Sequence, residues 1–189
     1  AYLRTHQLDL AQVTLVQART LKRDLPDVHF LLGQLRLEQK DFERSLSEFR
    51  TVLYLGSEPL PLYIYIAQDF FALNQPEEAL ANLQKVLTHE KASLEDKANV
   101  HLTLAEYTTG DTAFQHIEQA IALAGNNSKL LIQAYLTKAQ YYKKAGKTDQ
   151  FILTYFKLID QTLQNKDPES ELKYYNLFWQ EFSQFSDRD

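Results

Sequence analysis

Cysteine is absent from the 189 residues, and so is methionine. Without thiols there is no disulfide frame, no zinc–thiolate site and no cysteine nucleophile, which fits a cytoplasmic protein. The missing methionine is unusual at this length. Glycine and proline number five each. Long stretches without these breakers favour an all-α chain. Positive charge is in deficit: 20 Lys and Arg against 25 Asp and Glu leave a net charge of -5. No nucleic-acid surface and no anionic-membrane surface is therefore expected. No apolar run approaches the roughly 18 residues of a membrane span. Also lacking are a G-x-S-x-G elbow, a glycine-rich phosphate loop and an H-E-x-x-H helix. The chain is not read as an enzyme, and no cofactor or metal is expected.

What is present is an ordinary globular balance, 44% apolar and 24% charged. "LLGQLRLEQKDFERSLSEF", Leu31 to Phe49, holds two apolar runs at helical spacing, hinged at Gln39-Lys40-Asp41. A glycine sits inside the first run, where a helix prefers alanine by about 1 kcal/mol. Laid on itself with a shift of 34, the chain brings Gly33 onto Ala67, Ser45 onto Ala79 and Phe49 onto Leu83. A backward shift puts Leu8, Ala11, Leu15 and Ala18 in the columns of Phe42, Ser45, Phe49 and Val52. A step of 38 from Ala67 reaches Ala105, and a further 34 reaches Ala139. The extra four residues fall in "THEKASLEDKAN" and lengthen one turn.

A period of 34 with two helices per unit resembles the tetratricopeptide repeat family. Family units carry a small residue where two helices cross, a second one later and an aromatic near the end. Gly33, Ala67, Ala105 and Ala139 match the first; Ala11, Ser45 and Ala79 match the second; Phe49 and Tyr155 match the aromatic. The resemblance implies an all-α, right-handed solenoid of antiparallel helix pairs. It covers residues 1–165 as an incomplete first unit plus four pairs, with 166–189 as a C-terminal capping helix and tail. Residues 1–6 read as the end of a helix that begins upstream. Ile117 and Phe151 stand where the family has small residues, so the last two pairs are expected to pack more loosely or at another angle.

Local signals place the helices. Pro26, Pro76 and Pro168 suit first-turn positions, and Pro59 and Pro61 flank another helix start. Asp41 is expected to cap the helix that follows it. Glu77 and Glu78 stand against a positive helix end, and "AGNNSK" is a loop. Leu172, Tyr175, Phe178, Trp179 and Phe182 form a broad apolar stripe on the last helix. Two readings of it stay open: a cap over the preceding pair, or a contact with a partner such as a second copy of the chain. His29 and His101 share a repeat column on separate pairs, which speaks for packing or solvation and against a shared metal.

In this family the first helices of the pairs line a concave face, and function sits there. One column of that face holds Phe30, Ile64, Leu102 and Leu136. The next holds Gln34, Gln68, Glu106 and Gln140, and a third holds Leu37, Phe71, Thr109 and Lys143. Family members that grip C-terminal carboxylates place Lys, Arg and Asn in the first two columns; here they are apolar and mostly Gln. An amide ladder beside an apolar stripe suits an extended peptide, whose backbone meets Gln while its side chains meet the stripe. The bland alternative is that the stripe is core and the glutamines merely face water. The functional expectation is a scaffold that binds a protein or peptide partner. The alternative is the peptide-sensing effector half of a bacterial transcriptional regulator, with its DNA-binding domain upstream.

Overall fold

The computed structural model describes residues 8–22, 24–164, 166 and 168–186; the helix end expected at residues 1–6 lies outside them. Among these residues are ten α-helices and no strand. The all-α class of stacked antiparallel helix pairs is what forms. The chain packs as two compact units that divide after Ala92, inside the lengthened turn.

The first unit holds α1 (Leu8–Leu21), α2 (Pro26–Glu38), α3 (Phe42–Tyr54), α4 (Leu60–Ala72) and α5 (Pro76–Thr88). Helix α2 pairs with α3 and α4 with α5, while α1 lies on α2. Pro26, Pro61 and Pro76 occupy first-turn positions, where the missing N–H costs nothing. The turns inside the two pairs share one geometry. Lys40 and Asn74 adopt φ of 60° and 59°, and the following residues Asp41 and Gln75 donate N–H groups back to Arg36 and Phe70 at 2.9 and 2.8 Å. These are the six-to-one bonds that close a helix C-terminus. Asp41 stands at the N-cap of α3, yet its side chain makes no capping bond. Its carboxylate pairs instead with Arg44, one turn on, at 3.3 Å.

Leu46, Phe49, Val52, Leu62 and Ile66 form the core of this unit, with Phe30 and Tyr65 packed on it. Gly33 shows why the opening stretch keeps a glycine. A Cβ built there would lie 2.6 Å from Cδ1 and 2.8 Å from Cζ of Phe49. That ring is fully buried and held between Phe30 and Tyr65, with centroids 5.9 and 5.7 Å away. Ser45 adds a buried bond, its hydroxyl donating to the Gly33 carbonyl at 3.0 Å. Both small residues of the crossing are thus spent on closeness between α2 and α3. On the outer flank, Glu48 accepts from Arg19 at 3.1 Å and pairs with His29 at 2.7 Å, which ties α1, α2 and α3 together.

The second unit holds α6 (Leu94–Tyr107), α7 (Gly110–Ala124), α8 (Ser128–Lys144), α9 (Thr148–Gln164) and α10 (Pro168–Ser186). Ser93 starts α6 with a reciprocal capping box: Asp96 N–H donates to Ser93 Oγ at 3.0 Å and Ser93 N–H to Asp96 Oδ2 at 2.9 Å. Asn127 caps α8, accepting from Leu130 N–H at 3.2 Å. Gly146, with φ of 67°, turns α8 into α9 just as Lys40 turns α2 into α3. Helices α6 and α8 lie beside each other, α7 packs on both, and α10 packs on α9.

The two oversized residues behave differently from one another. Phe151 is wholly buried, in a ring cluster with Tyr155 at 4.9 Å and with Phe178 of α10 at 6.1 Å. The expected loosening is absent at that position because α10 closes over it. Ile117 is also buried, but a cleft opens beside it. One face of α10 therefore covers the fourth pair through Phe178, Tyr174, Leu177 and Phe182.

Two outcomes follow. Gly33→Ala should cost about 1–3 kcal/mol through overpacking, despite its gain of about 1 kcal/mol in helix propensity. Urea unfolding of Gly33→Ala, Phe49→Leu and the double variant checks the cause. The double variant should be more stable than the two single costs add up to; strict additivity would remove Phe49 as the constraint. Truncation after Gln164 should expose Phe151, Tyr155 and Leu158, each worth about 1.5–3 kcal/mol of burial. Thermal melting and light scattering should show a much lower midpoint or aggregation. A shortened chain that stays monomeric and equally stable would make α10 a partner contact instead of a cap.

Candidate functional site

The columns proposed for the inner face divide by burial. Ile64 and Leu102 are only 7% and 2% exposed. At these two positions burial favours the core reading of the column over the groove-wall one. Phe30 is half-buried against Phe49 and Tyr65. In the first unit Gln34, Leu37, Gln68 and Phe71 remain partly open to water.

In the second unit the columns converge on one feature. A cleft of about 560 Å³ lies between α6, the start of α7, and α8. Ala105, Ala113, Ile117 and Leu136 line it with apolar surface, and Glu106, Gln140 and Lys144 bring polar groups. Its origin is local. The α6–α7 connection is Thr108-Thr109, both extended, with ψ of 169° and 167°. Gly110 follows with φ of 60°, so here two extended residues precede the left-handed one, whereas Lys40, Asn74 and Gly146 take that conformation close behind the preceding helix. Small side chains at Ala105 and Ala113 leave the space unfilled.

Glu106 lines the cleft wall, its residue exposed on one side and its carboxyl set among protein atoms. Desolvation by the surrounding protein raises its carboxyl above the usual range, and the Lys144 ammonium partly offsets this. Gln140 both lines the cleft and donates from Nε2 to Glu181 of α10 at 3.4 Å. Lys143 pairs with the other oxygen of the same carboxylate at 3.6 Å. The last helix therefore reaches α8 and engages two of its polar groups. Burial, then the charge of Glu181 beside it, push the Tyr155 phenol well up. Glu181 was not singled out in the sequence. Its signal was a carboxylate inside the buried stripe of α10, between Phe178 and Phe182.

Two histidines also meet unexpectedly. His101 of α6 and His116 of α7 lie with Nδ1 atoms 3.2 Å apart and rings stacked at 5.3 Å. Burial, then His116, lower the His101 pKa. Comparing His101 with His29 followed a column from pair to pair and passed over this partner across the same pair. Among the described residues no group of three or more His, Asp or Glu gathers to hold a metal ion. No helix there is long and apolar enough to cross a membrane. The outer stripe of α10 stays open, with Leu172, Tyr175 and Trp179 about half exposed or more.

No family model matches the chain, and no curated protein matches it. Solved structures do. PilF of Pseudomonas aeruginosa superposes with a TM-score of 0.57 at 15% identity, over 100% of this chain and 93% of PilF. The APC/C hetero-tetramer Cut9–Hcn1 gives 0.62 at 13% identity, over 100% of this chain and 38% of the matched one. YrrB, described as a TPR protein with an unusual peptide-binding site, gives 0.49 at 17% identity, over 93% and 87%. At such identities the likeness is one of fold. The fold is that of tetratricopeptide repeat proteins.

Proposed function

We propose that the chain is a scaffold module that binds a protein or peptide partner, and that the cleft of the second unit receives the partner's side chains. The observation that carries the reading is the convergence there of Glu106, Leu136 and Gln140, one residue from the apolar column and two from the amide column. An apolar floor with a few polar groups at its edge is the usual make-up of a recognition site. In this reading an extended segment lays an apolar side chain over Leu136 and Ile117, while its backbone meets Gln140 and Glu106. In the first unit Gln34, Gln68, Leu37 and Phe71 are assigned to the same partner class. The setting proposed is the cytoplasm, with neither nucleic acid nor membrane as partner.

The test begins with a partner found by pull-down and titrated by calorimetry. A lost hydrogen bond is worth about 0.5–1.5 kcal/mol for a neutral pair and about 1.5–3 kcal/mol where one partner is charged. A Glu106→Ala, Gln140→Ala double variant should therefore bind at least roughly tenfold more weakly. Its far-ultraviolet spectrum should match the wild type, since neither side chain is core. Binding should depend weakly on salt, because the cleft carries one charge of each sign. Unchanged affinity, or steep salt dependence, would move the site away from the cleft.

A further inference from the structure

Asp69 of α4 is fully buried, and neither of its carboxylate oxygens has a hydrogen-bond partner. A charged carboxylate in that position would carry a large desolvation cost. Its polar neighbour is Ser45 of α3, also fully buried. The Ser45 proton is already committed, since the hydroxyl donates to the Gly33 carbonyl of α2. A hydroxyl that has given its proton still has lone pairs to accept with. A carboxylate cannot use them, and a carboxylic acid can.

We infer that Asp69 is held as the neutral acid in the folded first unit, donating its proton to Ser45 Oγ and extending the Ser45–Gly33 bond into a chain that joins α4, α3 and α2. The first unit is then a proton-dependent element. Asp69 lies next to Gln68 and two residues before Phe71, so the tie governs how firmly α4 holds these inner-face side chains. Desolvation is the main influence on the group and places its pKa at about 7, against an ordinary 3.8. Ser45 is the other influence, and as a donor it would lower the value, but its proton is given to the Gly33 carbonyl; no charged group contributes. Glu48 of α3 is itself engaged by His29 of α2 at 2.7 Å.

The sign is set by the raised pKa. The folded state holds a proton that the unfolded state releases between about pH 4 and pH 7. The contribution of Asp69 is fully present below pH 4, declines as pH rises, and is lost above the folded pKa. Asp69→Asn keeps the shape and an N–H donor for Ser45 but cannot ionise. In thermal melts of the full chain, the variant should match the wild type at pH 4.5. At pH 8 it should exceed the wild type by roughly 5 °C or more. The difference between the two proteins removes the other titrating groups, including the His101–His116 pair. Infrared spectroscopy supplies a second readout: the carbonyl band of a protonated carboxyl should persist in the folded wild type at pH 6 and be missing from Asp69→Asn. A variant that melts below the wild type at pH 8, or a wild type without that band at pH 6, would overturn the inference.

Discussion

The approach of α2 to α3 at Gly33 is the constraint on which the first unit rests. A side chain there would occupy the space of the Phe49 ring. Phe49 cannot withdraw, because Phe30 and Tyr65 hold it from both sides. The same closeness lets Ser45 reach the Gly33 carbonyl. One missing Cβ thus sets the place of the Phe49 ring and the approach of α2 to α3. Dispersion and the hydrophobic effect favour such density, and helix propensity is the smaller quantity that gives way.

The later pairs solve the crossing with other residues, and the consequences differ in kind. Ala139 opposes Phe151, and the extra bulk is absorbed by rings from α9 and α10: Tyr155, Phe178 and, beyond it, Phe182. Ala105 opposes Ile117, and there the extended Thr108-Thr109 link leaves a cleft instead. A branched aliphatic residue has no aromatic partners to complete the layer. The site candidate therefore arises where the repeat departs from its own pattern.

The helix boundaries were legible because they depend on local chemistry: first-turn prolines, the turn at Gln39-Lys40-Asp41, the loop at "AGNNSK". The small-residue crossings were legible because the 34-residue shift aligns them. Less could be read about which members of a column face water. Ile64 and Leu102 share a column with Phe30 and Leu136, yet the first two are core and the others are partly open. That outcome depends on how each helix packs on its neighbours, which periodicity does not encode. Polar partners across elements were the least legible. His101 with His116, and Glu181 with Gln140 and Lys143, join residues on different helices. None of these pairs repeats along the chain, so self-alignment passes over them.

Glu181 bears on how the second unit can recognise a partner. Its carboxylate already engages Gln140 and Lys143, and Glu106 already feels Lys144. The polar groups near the cleft are therefore largely matched inside the unit before any partner arrives. A ligand that relied on charge would have to displace an existing attraction to gain its own, and the difference between the two is small. An apolar side chain entering the space beside Leu136 and Ile117 displaces only water, at a gain of about 25 cal/mol per Å² buried. On the proposed reading, shape and apolar area would supply much of the affinity in this unit, and the bonds of Gln140 and Glu106 would set register and add to it. The net negative charge of the chain acts at longer range, on encounter more than on the bound state.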